Sequence, residues 1–233
     1  MRIGASIILL DGYCFQSYQW KFFRPLGSLQ NILKFLDLYD VDEICITRPI
    51  KQNDSESSLC NDLQLIRSLL SNSPISFGGG LRNPTALKLL HNLPVERLHF
   101  SSAFINHDVN IIKQAANLFG KQAIVATLPI KIIDDNLFVY NGGSNSFQPL
   151  SEDILNFIAE HADEAMIVDV MNEGIGESFN FKILDLVKFP KNQLIISGGI
   201  GPNVIKTASN KGIASCLIEN RVLHHENYIK SEI

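Results

Sequence analysis

The sequence predicts one closed (β/α)8 barrel, and three observations predict it. Strand-length apolar runs alternate with helix-period segments eight times along the 233 residues. Two glycine-rich segments, Gly78-Gly79-Gly80-Leu81-Arg82 and Ser197-Gly198-Gly199-Ile200-Gly201, place Gly79 and Gly198 119 residues apart. A second pair, Val41-Asp42-Glu43-Ile44 and Ala162-Asp163-Glu164-Ala165, repeats at an offset of 121. A near-constant offset of half a chain marks two fused copies of one half-domain. The expected organisation is a single domain over 1–233, with half-barrels of about 1–120 and 121–233. Alternation together with a repeat favours a barrel over the rival open, doubly wound sheet.

Taken in order, the first strand is expected over 2–10, an apolar run that stops at Asp11-Gly12. That run is too short for a membrane span and lacks a signal-cleavage pattern. A long connection, 11–27, follows, and then a helix over 28–39 with the packing stripe Ile32, Leu33, Leu36 and Tyr39. Further strands are expected at 43–47, 74–77, 97–101, 122–127, 164–169, 193–196 and 214–218. The helices between and after them fall at 58–71, 84–91, 108–119, 151–161, 179–187, 202–210 and 225–230. The connection 129–149 is also long, and Ile132-Ile133-Asp134-Asp135-Asn136-Leu137-Phe138-Val139 reads as a small hairpin with an Asp/Asn turn. Long strand-to-helix loops of a barrel lie over its active-site face, where lids belong.

Net charge is −4 and the isoelectric point about 5.9, so no basic surface argues for nucleic acid. The four cysteines (Cys14, Cys45, Cys60, Cys216) show no CxxC spacing, and Cys45 and Cys216 lie in apolar runs as buried free thiols. A reducing, cytoplasmic setting is the default expectation. His224-His225 has no ligand-spaced partner, so no metal and no cofactor is expected. Strand alternation is read as placing His99 outward beneath a helix, as a hydrogen-bonded structural residue.

Glycines at the C-terminal end of a strand, just before a helix, let backbone N–H groups approach an anion closely. Each glycine segment is followed 23 residues on by a polar strand end, Ser101-Ser102 after Gly78-Gly79 and Asn220 after Ser197. Two matched anion sites result: Gly79, Gly80, Ser101 and Ser102 in one, Ser197, Gly198, Gly199 and Asn220 in the other. Such a pair suits a small molecule with a phosphate at each end. The first is expected to be the stronger, because Glu173 and Glu219 lie near the second, and carboxylates repel phosphate.

Assembled in this order, the chain resembles the phosphoribosyl barrels of histidine biosynthesis, and among them the cyclase subunit of imidazole glycerol phosphate synthase. The resemblance rests on the two glycine segments, Asn172-Glu173-Gly174, Ser101-Ser102-Ala103 and the strand starts Asp42-Glu43 and Asp163-Glu164. It implies a two-phosphate ribonucleotide across the mouth, one phosphate held by Gly80, Ser101 and Ser102, the other by Glu173, Gly174, Gly199 and Asn220. It also implies a glutaminase partner on the N-terminal face, where ammonia enters through a ring of four charges. Arg2, Glu43, Arg97 and Glu164 stand at those positions with matching signs, and Glu96 where the family has an acid that contacts the glutaminase.

The chain also departs from that family. Two catalytic aspartates are expected at the ends of strands one and five, and alignment places Ile7 and Pro129 there, neither able to carry a proton. The expected first-loop lysine is Gln16 and the acid after strand two is Arg48. Three functions follow as alternatives. The first is an ammonia-conducting barrel, as in paralogues serving a sugar amidotransferase in surface polysaccharide synthesis, whose Lys-Phe-x-x-Pro-x-x-Gly pattern Lys21–Gly27 resembles. The second is an enzyme whose proton carriers have moved to Asp11, Asp169 or Glu173, although Asp11 also reads as a turn residue. The third is a non-catalytic scaffold.

Overall fold

The structure, a computed structural model, describes residues 1–49, 55–68 and 71–219. Its strands are β1 (Arg2–Leu10), β2 (Tyr13–Tyr18), β3 (Phe22–Ser28), β4 (Ile44–Thr47), β5 (Ile75–Gly78) and β6 (Arg97–Phe100). They continue as β7 (Ile124–Ile133), β8 (Asn136–Asn141), β9 (Ser146–Pro149), β10 (Glu164–Asp169), β11 (Leu194–Ser197) and β12 (Ser215–Glu219). The helices are α1 (Leu29–Leu38), α2 (Glu56–Arg67), α3 (Pro84–Leu90) and α4 (Ser102–Ile105). After them come α5 (Val109–Phe119), α6 (Glu152–His161), α7 (Lys182–Val187) and α8 (Pro202–Asn210). The helix expected at 225–230 lies outside the described residues, as do Asn220 and His224-His225.

Parallel pairing runs β1-β4-β5-β6-β7-β10-β11-β12 and returns to β1, so the sheet closes. The eight expected strands are therefore the barrel staves. The four additional strands belong to two antiparallel hairpins on the C-terminal side, β2–β3 beside β1 and β8–β9 beside β7. The hairpin legible in the sequence joins β7 to β8 and leads into the second, turned by Asp134 and Asp135 with positive φ of 46° and 61°. The first was not expected as a hairpin.

Period-two alternation divides the barrel into two packed layers. Outward residues such as Ile7, Leu9, Ile46, Phe77, Leu98, Ile124 and Ile196 join Leu33, Leu36, Leu87 and Ile158 of the helices in one continuous core. Each such fully buried aliphatic or aromatic side chain contributes about 1.5–3 kcal/mol of transfer free energy. Inward residues Cys45, Val125, Met166, Val168, Ile195 and Leu217 form a smaller cluster along the axis. Gly4 belongs to the inside: a Cβ there would come 2.5 Å from Glu43 Cγ and 2.8 Å from Leu217 Cδ2. The stripe of α1 is buried at Ile32, Leu33 and Leu36, whereas Tyr39 caps the helix and stays exposed.

Two sequence expectations are corrected by this layering. Ile7 points away from the axis into the helix-facing core, so the inward residue near the top of β1 is its neighbour Ile8. His99 points inward, because it lies two residues after the inward Arg97 on the same strand; it is buried against Cys45 and Thr127.

Candidate functional site

At the N-terminal end of the barrel, the first inward side chains of the first, second, fourth and sixth staves meet. The Arg2 guanidinium donates to Glu43 Oε1 at 3.2 Å through Nε and to Glu164 Oε1 at 2.6 Å through Nη2. Arg97 Nη1 donates to the remaining oxygens, Glu43 Oε2 at 3.2 Å and Glu164 Oε2 at 2.7 Å. Each cation touches both anions, which is how four charges tolerate partial burial. The Ser215 hydroxyl also donates to Glu43. Burial works against the Arg2 guanidinium, but Glu164 and Glu43 outweigh it and hold its pKa above the ordinary value. A depression of about 410 Å³ opens beside the ring, lined by Glu96, Phe119, Gln122 and Asp163 together with Arg2, Arg97 and Glu164. A second, of about 400 Å³, lies next to Met1, Arg2, Asn192 and Ala214.

Above the ring sits a neutral layer. His99 Nδ1 is 3.1 Å from Thr127 Oγ1, and its Nε2 is 3.7 Å from Cys45 Sγ. Burial, assisted by the Arg97 charge, pushes the His99 pKa down to about 3, so the imidazole is uncharged at neutral pH. Burial raises the Cys45 thiol to about 11. All four cysteines are free thiols, three of them buried.

The C-terminal mouth is asymmetric. In the first half, Gly79 and Gly80 have positive φ of 104° and 88° between β5 and α3. Gly79 packs against the Arg48 backbone, leaving no room for a Cβ. Ser101 and Ser102, at the start of α4, are half-buried. Arg48, where an acid was expected, is wholly buried and pairs through Nε with Asp62 Oδ2 at 2.6 Å. Asp62 also accepts from the Gly12 N–H at 2.9 Å. Asp11, with φ of 48°, is an exposed turn residue whose carboxylate accepts from Ser58 at 3.2 Å. These contacts describe an anchor for the β1–β2 turn.

In the second half, the chain's own groups crowd the glycine segment. Glu173 is 3 % exposed; its carboxylate accepts from Ser17 Oγ at 2.9 Å and the Trp20 N–H at 3.3 Å. Burial raises its pKa, against the opposing hydrogen bonds from Ser17, Trp20 and Gln19. Gly174, with φ of 77°, lies so close beneath Ser17 and Tyr18 that a Cβ would clash with the hairpin backbone. Gly198 and Gly199 have φ of 94° and 75°, pressed against Asp169 and the 175–179 segment. Asp169 is buried, and its Oδ2 accepts from Asn172 Nδ2 at 2.7 Å and the Asn180 N–H at 2.9 Å, so it ties down the loop after β10. Ser197 is buried at the end of β11. Glu177, which the sequence reading missed, reaches the first turn of α8, where Asn203 Nδ2 donates to its carboxylate at 2.5 Å. Its signal in the sequence was an acid only three residues after Gly174.

The β2–β3 hairpin supplies what covers the axis. Its turn residues Gln19 and Trp20 both have positive φ, 53° and 58°, and the Lys21 N–H closes the turn on Tyr18 O at 3.0 Å. Left-handed backbone at a bulky residue is strained. Here it directs the Trp20 indole onto the inward apolar cluster, edge-on to Tyr140 with ring centroids 5.5 Å apart. Among the described residues no cluster of potential metal ligands occurs, and no helix is long and apolar enough to cross a membrane.

A closed barrel with glycine segments at both half-repeats and a charged ring beneath defines a phosphoribosyl barrel, and the chain belongs to the histidine biosynthesis protein family, whose model matches residues 2–229. Its relatives include a Campylobacter jejuni protein provisionally named imidazole glycerol phosphate synthase subunit hisF2, 26% identical over 100% of this chain and 93% of that protein. The imidazole glycerol phosphate synthase subunit HisF of Campylobacter concisus is 25% identical over 93% of this chain and 86% of its own length. A phosphoribosyl imidazole-4-carboxamide isomerase of Buchnera aphidicola is 22% identical over 97% of this chain and 94% of its own.

Proposed function

We propose that this chain is the barrel half of a glutaminase-coupled pair, receiving ammonia at its N-terminal face and binding a phosphorylated small molecule at its C-terminal mouth. The observation that carries this reading is the closed ring of Arg2, Glu43, Arg97 and Glu164 around the axis. Charges placed inward at strand starts are costly unless paired, and a ring of pairs beside an open depression suits an entrance that small neutral molecules cross. The neutral His99–Thr127–Cys45 layer above it supports the same reading, since an uncharged imidazole leaves ammonia unprotonated. Ordinary imidazole ring closure is not assigned to this chain. Pro129 and Ile8 are the residues facing the mouth where a proton carrier is needed, and Asp11 and Asp169 are engaged in anchoring turns. The ammonia then passes to a separate enzyme, as in the sugar-modifying paralogues that the first loop resembles. A reducing, cytoplasmic setting fits the buried free thiols.

The test is reconstitution with a glutaminase of imidazole glycerol phosphate synthase type. Binding to the N-terminal face, stimulated glutamine hydrolysis, and loss of that stimulation in Arg2→Ala at retained fold are the expected results. Turnover of the two-phosphate cyclase substrate with ammonium salt at rates typical of the family would overturn the conduit assignment. One observation favours a scaffold reading instead: the axis is filled by Val125, Met166, Ile195 and Leu217 and capped by Trp20. Glutaminase binding without transfer of labelled amide nitrogen would decide for it.

A further inference from the structure

A wall of aromatic side chains with one cation in it joins the two hairpins at the mouth. On β7 the inward series runs Val125, Thr127, Pro129, and alternation makes Lys131 its next member, above the axis. Lys131 stands opposite Phe138 of β8, and Tyr140 of β8 opposite Phe147 of β9. Residues directly opposite share a face of the sheet, and Val139, between Phe138 and Tyr140, is buried on the other face, in the helix-side core. Lys131, Phe138, Tyr140 and Phe147 therefore belong to one surface turned toward the mouth. Trp20 closes it from the β2–β3 hairpin, edge-on to Tyr140, which in turn meets Phe147 with ring centroids 5.3 Å apart.

Lys131 is half-buried, and its Nζ stands 3.8 Å from the centroid of the Phe147 ring. Among the described residues that ring is the sole partner of the ammonium: no carboxylate pairs with it and no oxygen accepts from it. On the same hairpin, by contrast, Asp135 is already taken by Lys182 at 2.5 Å. A ring face attracts an ammonium without neutralising it, and one ring cannot occupy three N–H donors. The charge is left for an anion. A second observation points to the same wall: the left-handed turn at Gln19-Trp20 is kept, although strained, with the indole against Tyr140. We infer that Lys131 is a ligand-binding residue, its ammonium taking the phosphate of a phosphorylated sugar whose ring lies against Trp20, Tyr140 and Phe147. This rests on the phosphorylated-ligand part of the proposed function and supplies it with a cation and a ring-binding surface. A lysine meets phosphate as a point charge, while the faintly positive C–H groups of a sugar ring suit the negative faces of aromatic rings. Inorganic phosphate finds only the charge and an unphosphorylated sugar only the wall, so each alone binds more weakly.

The experiment titrates the whole chain with ribose 5-phosphate, inorganic phosphate and ribose. It reads the emission of Trp20, the only tryptophan in the chain, and the backbone amide NMR shifts of Gly79 and Gly80. Ribose 5-phosphate should move the Trp20 emission saturably, with a midpoint at least about tenfold below that of either fragment. Lys131→Met keeps an apolar stem over Phe147 and removes the charge, and should raise that midpoint at least about tenfold. Lys131→Arg, which keeps the charge, should lose less, and it carries the comparison if Lys131→Met does not fold. An unchanged midpoint in folded Lys131→Met would overturn the inference, as would equal midpoints for ribose and ribose 5-phosphate. Shifts at Gly79 and Gly80 with Trp20 unmoved would also overturn it, while leaving the phosphorylated-ligand reading in place. A Lys131-dependent Trp20 response with Gly79 and Gly80 unmoved supports it, and the glycine phosphate site falls instead. Silence at both places would end both.

Discussion

At the N-terminal end of the barrel, two arginines and two glutamates share four ion pairs, and Arg2 and Arg97 keep 33% and 27% of their side chains in solvent. At the C-terminal end, Arg48 pairs with Asp62, their side chains only 2% and 1% exposed, and also donates to Ser58 Oγ at 3.1 Å. The ring is redundant and wet at its outer edge, so one contact can break while each charge keeps a partner. The Arg48–Asp62 pair is closed to water, and it fixes the β1–β2 turn, α2 and the approach of Gly79 together. Charge pairing of the first kind suits a passage that opens. The second kind suits a strut.

Five measurements break or sharpen that contrast. Asp62→Ala takes from a buried guanidinium the carboxylate at its Nε and should destabilise the fold by about 3–5 kcal/mol in urea unfolding; a loss below about 1 kcal/mol would remove the strut. Glu164→Ala leaves both ring arginines on Glu43 and in contact with water, so about 1–3 kcal/mol is expected. A ring mutant as damaging as Asp62→Ala would show the two ends to be alike.

His99 lies between the two ends and reports how dry the interior is. Its unfolded pKa near 6.5 exceeds its folded value of about 3. Between those values the unfolded chain binds the extra proton, so the contribution is full above pH 6.5 and lost as pH falls toward 3. The protein should lose up to about 1.4 kcal/mol per pH unit in that window, a slope component that His99→Gln abolishes. An unchanged slope would mean that water reaches the imidazole.

The smallest effect concerns the cap. Trp20 is the only tryptophan in the chain, so its emission reads the mouth directly. Trp20→Ala loses the packing yet keeps a side chain in left-handed backbone. Trp20→Gly loses the same packing and releases the strain, and should be more stable than Trp20→Ala by about 1 kcal/mol. Glu173→Ala should red-shift the Trp20 emission and raise its quenching by acrylamide. An unmoved spectrum would show that the hairpin holds without that latch.

Much of this was legible in advance for identifiable reasons. Barrel staves are buried on both faces, so β4, β7, β10 and β11 stand out as apolar runs, and the half-chain offset orders them. Arg2, Glu43, Arg97 and Glu164 could be read as inward because each begins or directly precedes a strand at a fixed register. The same register, carried two residues on from Arg97, places His99 inside, and carried from Arg2 it selects Ile8 over Ile7; those two expectations failed through not applying it. The β2–β3 hairpin was illegible because Gln19-Trp20 is not a turn-forming pair. Its conformation is imposed by Glu173, more than 150 residues away.

By itself, the sequence determined the eight-fold alternation, the internal repeat and the four charges that begin the staves, because these follow from local periodicity and spacing. Only the tertiary structure decided which carboxylate meets which cation. It alone showed that Arg48 belongs to Asp62, that Asp11 and Asp169 pin turns, and that Glu173, Glu177 and Trp20 occupy one half of the mouth. Burial and pairing across the closed sheet set those roles, and no local pattern encodes which distant side chains the closure brings together.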